Sequence, residues 1–293
     1  MREAMVKLDL HIHSNCSDGS DNWKMILQKA EKLDLEYISI TDHNNCNVYF
    51  RMKDAEKYFS GKIIKGIEPE CMYRGRLIEL LGYGIDARKM RESLGGLYRS
   101  AEEMLRIEYE RLYAACVKSG IRFSANVFEG WDRKKHYYPG CYLHEDLKRY
   151  PENRTIITDD ESWGNSIQFF RNYGNNPSSP LYADLSDCYP TAKEIVKLIK
   201  QAGGKVFIPH IFLYGEDSVL FLEGLISEFQ IDGVECFYNS FTPEQTNFLL
   251  RFCKKNNLLV SAGSDYHGSG RPDIKLGISD ARLKDLVKWL SKV

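Results

Sequence analysis

Two segments near opposite ends of the chain carry the residue types of a metal site. Residues 9–14 read DLHIHS, and residues 263–268 read GSDYHG. Alternate side chains of an extended strand point to the same face, so His11 and His13 can direct two imidazoles at one ion. The second segment can do the same with a carboxylate and an imidazole. We therefore predict a metal site assembled from parts of the chain that are distant in sequence.

The composition argues against several functional classes. The 293 residues include 40 basic and 41 acidic side chains, a formal net charge of −1, without the basic stripe that holds duplex DNA. A small anionic substrate fits this balance better. Eight scattered cysteines form no CxxC pair, which favours reduced thiols in a cytoplasmic protein over a zinc ribbon or a disulfide framework. No apolar run reaches the ~20 residues of a membrane helix, so we expect no membrane partner.

Strand and helix patterns alternate in the first and last thirds of the sequence. Strands are predicted at 6–13, 37–41, 62–68 and 77–83, with helices at 23–33 and through 48–59 between them. From 191 onward, helices at 191–202, 219–229 and 242–256 alternate with strands at 205–210, 232–237 and 258–262. This alternation predicts an α/β protein with a largely parallel sheet, closed as a barrel.

The middle of the sequence lacks this alternation. Residues 88–119 form a long charged helical pattern, and residues 123–187 are rich in Asn, Tyr, Gly and Pro with weak periodicity. We therefore predict one barrel in two parts, 1–94 and 188–293, interrupted by an inserted, mainly helical subdomain at 95–187.

Nine side chains with ligand atoms fall at or beside the predicted strand ends. In a barrel of parallel strands the carboxyl ends meet on one face, where active sites lie. A single histidine would carry little weight, but five of the seven histidines share this placement with nearby carboxylates. The candidate metal ligands are His11, His13, Asp18, His43, Glu68, Glu79, His210, Asp265 and His267.

Five motifs in order resemble those of the polymerase and histidinol phosphatase (PHP) family. They are residues 9–14 (DLHIHS), 40–43 (ITDH), 66–68 (GIE), 78–83 (IELLGY) and 263–268 (GSDYHG). The resemblance covers about 1–90 and 190–293. It implies a distorted (β/α)7 TIM-like barrel that binds two or three divalent ions and hydrolyses phosphoesters.

The resemblance also implies how the ligands divide among the ions. His11, His13, Glu68 and Asp265 would hold one ion, and Glu68 would bridge to a second held by His210 and residue 79. Asp18, His43 and His267 would hold a third.

Position 79 departs from the family pattern, which has histidine there. A carboxylate at Glu79 can still bind an ion and favours manganese, magnesium or iron over zinc. Among Mn, Fe, Zn and Mg, we expect Mn or Fe. Alternatively, Glu79 is a solvated strand residue and the second ion binds weakly.

The leading functional prediction is a metal-dependent phosphoesterase acting on a phosphomonoester. The substrate would be a small nucleotide, such as a nucleoside 3′,5′-bisphosphate, or a short oligonucleotide. The ions would generate a hydroxide that attacks phosphorus in line, with Asp265 and His267 near the attacking or leaving group. Ser14 and Arg271 are candidate phosphate contacts. His144 resembles, faintly, a substrate-contacting histidine in the insertion of one branch of the family.

Several alternatives stay open at this stage. The enzyme could be a phosphatase for histidinol phosphate or another small metabolite, or the barrel could be a non-catalytic, metal-stabilised nucleotide-binding module. Asp42 either orients a neighbouring imidazole or caps the following segment. Glu70 is expected to be a solvated turn residue. The sequence leaves the oligomeric state open.

Overall fold

Two main β-sheets and one hairpin form the framework of the computed structural model, which describes residues 6–130 and 138–293. Within these residues the strands are β1 (Lys7–Ile12), β2 (Tyr37–Ile40), β3 (Lys62–Ile63), β4 (Gly66–Ile67), β5 (Glu70–Tyr73), β6 (Arg76–Glu79), β7 (Leu81–Tyr83), β8 (Lys205–Ile208), β9 (Gly233–Tyr238), β10 (Leu259–Gly263) and β11 (Ile278–Ser279).

Helices surround the two sheets, and several begin with the caps that their sequences predict. Thr191 with Glu194, and Thr242 with Gln245, form complete capping boxes. The helices are α1 (Trp23–Lys32), α2 (Val48–Arg51), α3 (Ala87–Leu94), α4 (Ala101–Lys118), α5 (Pro139–Leu147), α6 (Asp160–Gly164), α7 (Ser166–Phe169), α8 (Ala192–Gln201), α9 (Ser218–Glu228), α10 (Pro243–Asn256) and α11 (Leu283–Leu286).

The sheets are mixed rather than largely parallel. One has the order β11-β1-β2-β3 and the other β10-β9-β8-β7-β4. Parallel pairs join β1 to β2, β2 to β3, β8 to β9 and β9 to β10, whereas β7 is antiparallel to β4 and to β8. Strand β7 runs antiparallel to its two neighbours because the separate hairpin β5-β6 reverses the chain before β7.

Single contacts, not a continuous ladder, join the two sheets within the described residues. On one side β3 and β4 follow one another in the chain, and a lone bridge pairs His43 with Glu68. On the other side a bridge pairs Ile12 with Tyr266, and the Asp265 N–H donates to the His11 carbonyl at 2.9 Å. The fold is therefore α/β as predicted, and the sheet hydrogen bonds do not show a closed barrel.

Two predicted elements are broken by local backbone requirements. The helix expected over 88–119 is two helices, α3 and α4, because Gly95 and Gly96 interrupt it and Gly96 has a φ of 77°. The strand expected over 77–83 divides at Leu80 into β6 and β7. As a result β6 pairs with β5 while β7 belongs to the main sheet, an arrangement that alternation of apolar residues alone does not reveal.

Helices α4 to α7 pack around an apolar cluster of their own, which includes Leu112, Leu143, Ile157 and Phe169. The described part of 95–187 contains helices and turns and no strand. The boundaries of the predicted insertion, 95 and 187, stay predictions. Among the described residues no helix combines the length and the apolar character that crossing a membrane requires.

Candidate metal centre

Strand β1 and the residues after β10 carry ligand candidates to the same place because Asp9 ties them together. The buried Asp9 carboxylate accepts hydrogen bonds from the Ser264 N–H (2.9 Å), the His11 N–H (3.2 Å) and the Gly277 N–H (2.8 Å). Burial raises the pKa of Asp9 to about 6, although these hydrogen bonds oppose the shift. Asp9 is therefore a structural residue whose role the sequence did not indicate.

The nine predicted ligands form three groups in which the candidate ligand atoms lie within 4.8 Å of one another. The groups share members, so they make one continuous cluster. They are His11, His13, Glu68 and Asp265; His13, Asp18, His43 and His267; and Glu68, Glu79 and His210.

The first group surrounds the Glu68 and Asp265 carboxylates. Glu68 Oε1 lies 3.1 Å from His11 Nε2, and Glu68 Oε2 lies 3.0 Å from His13 Nε2. Asp265 Oδ1 lies 3.5 Å and 3.2 Å from the same two nitrogens. All four side chains are buried or nearly so. Two imidazoles and two carboxylates at this spacing match the ligand types of a divalent transition ion.

The second group centres on Asp18. Its Oδ1 lies 3.4 Å from His13 Nδ1, and its Oδ2 lies 3.0 Å from His267 Nε2 and 3.9 Å from His43 Nε2. Because a neutral imidazole offers a lone pair on only one nitrogen, His13 can serve this group or the first, but not both. The His267 Nδ1–H donates to the Asp265 carbonyl at 2.7 Å, which leaves its Nε2 lone pair toward Asp18.

The third group contains the unusual residue at position 79. His210 Nε2 lies 3.2 Å from Glu68 Oε1 and 3.5 Å from Glu79 Oε2. The Glu79 side chain is 23% exposed, and its backbone N–H donates to the Tyr214 hydroxyl at 3.0 Å. Glu79 therefore points to the same centre as His210 rather than into open solvent.

The charges of this cluster strongly perturb its titration. Burial disfavours a charged ring at His13, but Asp265, Glu68 and Asp18 outweigh burial and raise its pKa to about 10. Burial likewise opposes charge on the Asp18 carboxylate, yet the surrounding imidazoles, that of His43 above all, hold its pKa well below the usual range. Without a bound metal, protons on the imidazoles balance the negative charge of these carboxylates. A bound cation would supply that positive charge instead.

Unsatisfied buried atoms test whether the residues fit a metal. Among the described residues, six buried side-chain atoms of this cluster have no hydrogen-bond partner of good geometry: His11 Nε2, His13 Nδ1, His13 Nε2, Asp18 Oδ1, His43 Nδ1 and His210 Nδ1. Buried polar atoms are rarely left without partners. Their concentration here, on nitrogen and carboxylate oxygen atoms, fits divalent ions as the missing partners.

Strained backbone also marks the centre. Asp265 has a φ of 58° and His210 a φ of 25°, values that residues with a side chain seldom adopt. Such conformations persist where the surrounding structure imposes them, and they concentrate at functional sites.

Glu235 is a residue of the centre that the sequence analysis missed. It is fully buried on β9, and its Oε1 accepts the His11 Nδ1–H at 3.1 Å while its Oε2 accepts the His210 N–H at 2.9 Å. This arrangement fixes the His11 tautomer with Nε2 toward Glu68 and holds the turn that carries His210. The available signal was a lone acidic residue within the otherwise apolar and aromatic strand GVECFY.

Ser14 and Asp42 hold the loop after β1. The Asp42 carboxylate accepts from the Ser14 N–H and the Ser14 hydroxyl, both at 2.7 Å, and from the Ser17 hydroxyl at 2.7 Å. Neither predicted role of Asp42, orienting an imidazole or capping the next segment, describes these contacts. Glu70 is not a solvated turn residue either, because it is partly buried on β5 and its Oε2 accepts from Asn44.

The two remaining predicted substrate contacts differ in placement. Arg271 reaches the centre, where its Nη1 donates to Asp265 Oδ2 at 2.7 Å beside the Tyr238 hydroxyl, which donates to the same oxygen at 2.9 Å. His144 instead faces inward from α5, packs against Phe169 and donates from Nε2 to the Ser162 carbonyl at 2.8 Å. The prediction that His144 contacts substrate therefore has no support in its position, which lies within the core of the helical region.

A cavity of about 130 Å³ adjoins the centre. His43, Glu79 and Arg271 line its metal side, while Glu108, Gly140, Phe170 and Arg171 come from the helical region. Arg171, in the π-helical turn Phe170–Gly174, is a second cation that the sequence analysis did not single out. The cavity thus places two guanidinium groups and an aromatic ring beside the candidate ligands.

The chain is similar to several known proteins. A family model described as the PHP domain matches residues 9–205. The chain is 26% identical over 265 residues to a 5′-3′ exoribonuclease of Haemophilus influenzae, covering 89% of this chain and 90% of the relative. It is also 26% identical over 270 residues to a 3′,5′-nucleoside bisphosphate phosphatase of Chromobacterium violaceum, covering 91% and 89%.

A third relative has a different named substrate. The chain is 23% identical over 277 residues to a phosphoribosyl 1,2-cyclic phosphate 1,2-diphosphodiesterase of Eggerthella lenta, covering 89% of this chain and 94% of the relative. Among solved structures, an amidohydrolase from Chromobacterium violaceum superposes with a TM-score of 0.64 at 21% identity, covering 93% of this chain and 90% of that one. The structural likeness supports the fold.

Proposed function

This chain belongs to the PHP family, and from that premise we propose that it removes phosphate from a small nucleotide, such as a nucleoside 3′,5′-bisphosphate, or from a short oligonucleotide. It is a hydrolase of phosphoester bonds, the reaction class named for its exoribonuclease and phosphatase relatives. The observation that carries the substrate proposal is the cavity, which joins the ligand cluster to two arginines and an aromatic ring.

In this proposal the three ligand groups hold two or three divalent ions. His11, His13, Glu68 and Asp265 would hold one, Glu79 and His210 together with Glu68 would hold the second, and Asp18, His43 and His267 would hold the third. Bound ions supply a nucleophile from water at neutral pH and neutralise charge on phosphate oxygens. The carboxylate at position 79 favours manganese or iron over zinc.

The chain's own donors orient the phosphate. Arg271 lies between the Asp265 carboxylate and the cavity, so its remaining N–H groups can bind a phosphate while Nη1 holds Asp265 in place. Arg171 can neutralise a second anionic group of the same substrate. Asp265 and His267 stand nearest to the reacting phosphate, and Ser14 shapes the adjoining loop through Asp42.

We also infer that the two sheets are parts of one distorted (β/α)7 barrel, in which β3 and β4 count as one interrupted strand and β11 is an added edge strand. Strands β3 and β4 lie in one stretch of chain and pair with different sheets, and the Ile12–Tyr266 bridge brings together the other two edges. The net charge of −1 favours small substrates over duplex DNA. The cytoplasmic location stays a prediction from the sequence.

A substrate panel tests the proposed function. Phosphate release with Mn²⁺ is expected from adenosine 3′,5′-bisphosphate and from short RNA that carries a terminal phosphomonoester, with Asp265→Asn protein as the background control. Release from histidinol phosphate alone, or hydrolysis of a phosphoribosyl cyclic phosphate alone, would replace the nucleotide proposal. No turnover with Mn²⁺, Mg²⁺, Fe²⁺ or Zn²⁺, together with tight retention of a nucleotide, would instead support a binding module.

Replacing Glu79 tests the second ion. We expect Glu79→Ala to retain less metal than the wild type, because this group would then have two candidate ligands, His210 and Glu68, instead of three. Glu79→His should shift the preference from Mn²⁺ toward Zn²⁺. Metal content after dialysis against each ion measures both effects, with the exposed Glu56→Ala as control. Equal stoichiometry and affinity in Glu79→Ala and wild type would contradict the assignment.

Replacing Arg271 tests phosphate binding. Arg271→Ala is expected to raise the Michaelis constant for adenosine 3′,5′-bisphosphate by about 10- to 100-fold, the scale of one charge-assisted hydrogen bond. Arg271→Lys should recover part of the loss because it keeps the charge but not the fork of donors. Steady-state kinetics beside the exposed Arg251→Ala measure this. An unchanged Michaelis constant in Arg271→Ala would refute the contact.

A further inference from the structure

Glu108 lies on the wall that the helical region contributes to the cavity. It belongs to α4, and the neighbouring wall residues include Gly140 of α5 and Phe170. A Cβ placed on Gly140 would lie 3.9 Å from Glu108 Oε1 and 3.9 Å from Phe170 Cδ2. The Glu108 carboxyl oxygen and a ring carbon of Phe170 therefore border one spot, and the glycine leaves that spot open.

Glu108 differs from two of the three other acidic residues of its helix. Glu103 and Glu110 face Arg99 and Arg106 at 3.2 Å and 3.9 Å, on the exposed side. Within residues 6–130 and 138–293, by contrast, Glu108 has no ion pair or side-chain hydrogen bond. Its contact with the cavity is not explained by packing or by charge pairing inside the fold.

The chemistry of this carboxyl group suits a ligand with donors as well as acceptors. Burial raises the pKa of Glu108 to about 8, and the nearby Glu70 carboxylate adds to the shift. A carboxyl group that keeps its proton at neutral pH presents an O–H donor beside a carbonyl acceptor. The edge of a nucleobase offers the complementary pair, as adenine does with its amino group and adjacent ring nitrogen, while the ring face stacks on an aromatic side chain.

We propose that Glu108 binds the hydrogen-bonding edge of the substrate base while Phe170 contacts the face of that base. This inference rests on the proposed nucleotide function and extends it to the recognition of the base. It assigns the helical region a specific task. The strands hold the reacting phosphate, and the wall formed by α4, α5 and the Phe170–Gly174 turn selects substrates that carry a base.

The test compares two substrates that differ only in the amino group, adenosine 3′,5′-bisphosphate and purine riboside 3′,5′-bisphosphate. The wild-type enzyme is expected to have a kcat/KM about tenfold higher for the adenosine compound, as one hydrogen bond supplies. In Glu108→Ala this ratio should fall to about one. Glu108→Gln should keep it, because an amide also places a donor beside an acceptor.

Controls separate this inference from the proposed function. The exposed Glu110→Ala, on the same helix, should keep the wild-type ratio. An unchanged ratio in Glu108→Ala would overturn the assignment of Glu108 and leave the proposed function standing. Release of phosphate from neither compound by the wild-type enzyme would overturn the proposed function and this inference with it.

A second variant covers the case in which Glu108→Ala does not fold. Gly140→Ala adds one methyl group whose nearest neighbour, Leu112 Cδ2, is 3.6 Å away, an ordinary contact that the fold can accept. The methyl group occupies the spot between Glu108 and Phe170. We expect a higher KM for adenosine 3′,5′-bisphosphate and an unchanged KM for the base-free analogue, tetrahydrofuran 3′,5′-bisphosphate. Equal changes for both substrates, or none for either, would contradict a base at this wall.

Discussion

Replacing Asp265 by asparagine should reduce kcat at least about 100-fold, the scale of one charged group at a reacting centre, while the protein stays folded. Asp265 Oδ1 faces the His11 and His13 nitrogens, and Oδ2 accepts from Tyr238 and Arg271. Asparagine has nearly the same shape and tolerates the φ of 58° found here. The variant therefore removes the negative charge without forcing the backbone to change.

The experiment pairs kinetics with metal analysis. kcat for adenosine 3′,5′-bisphosphate and the bound metal per chain are measured for Asp265→Asn and for Asp285→Asn, a matched change at an exposed residue of α11. Loss of turnover with loss of metal identifies a ligand, and loss of turnover with full metal content identifies a role at the reacting phosphate. Wild-type turnover in Asp265→Asn would refute the site.

Replacing Glu235 by glutamine should weaken metal binding by about 10- to 100-fold, although Glu235 is not itself a proposed ligand. Its two oxygens accept from two different donors, the His11 Nδ1–H and the His210 N–H. Glutamine has one acceptor oxygen, so its NH₂ group must face one of these donors. Either the His11 ring turns and the first ligand group loses its geometry, or the loop at His210 shifts and the third group does.

Metal titration of Glu235→Gln measures this effect directly, with the exposed Glu223→Gln on α9 as the matched control. The metal-free protein should also lose about 1–3 kcal/mol in its free energy of unfolding, because a buried donor is left without an acceptor. Denaturant unfolding without metal separates this loss from the effect on affinity. Wild-type metal affinity in Glu235→Gln would show that His11 and His210 do not depend on this carboxylate.

The sequence was sufficient to predict which residues form the cluster. Ligands two residues apart on a strand must share a face, and strands of an α/β sheet deliver their ends to one side. The placement of His11, Glu68 and Asp265 in one cluster therefore followed from the sequence, and the family resemblance implied that they belong to the same group. The starts of the helices at Thr191 and Thr242 could also be predicted from nearby residues, since a capping box depends on residues three positions apart.

The partners of those ligands were beyond the reach of the sequence. Glu235 acts on a histidine 224 residues away, and Asp9 contacts Ser264 across 255 residues. A lone carboxylate in a strand has no spacing pattern that names its partner. These contacts exist because the sheets bring β1, β9 and β10 side by side, and sheet order was the part of the fold that alternation predicted least well.

The surroundings of the cavity show the same division. His144 had the residue type and approximate position of a substrate contact, yet the orientation of α5 directs its side chain toward an apolar core. Glu108 and Arg171 had no motif, and packing of the helical region places them on the cavity wall. The sequence by itself predicted the candidate metal ligands, because ligand type and local spacing are properties of short segments. Only the tertiary structure decided which side chains orient the candidate ligands and which line the cavity, because both depend on how distant segments pack.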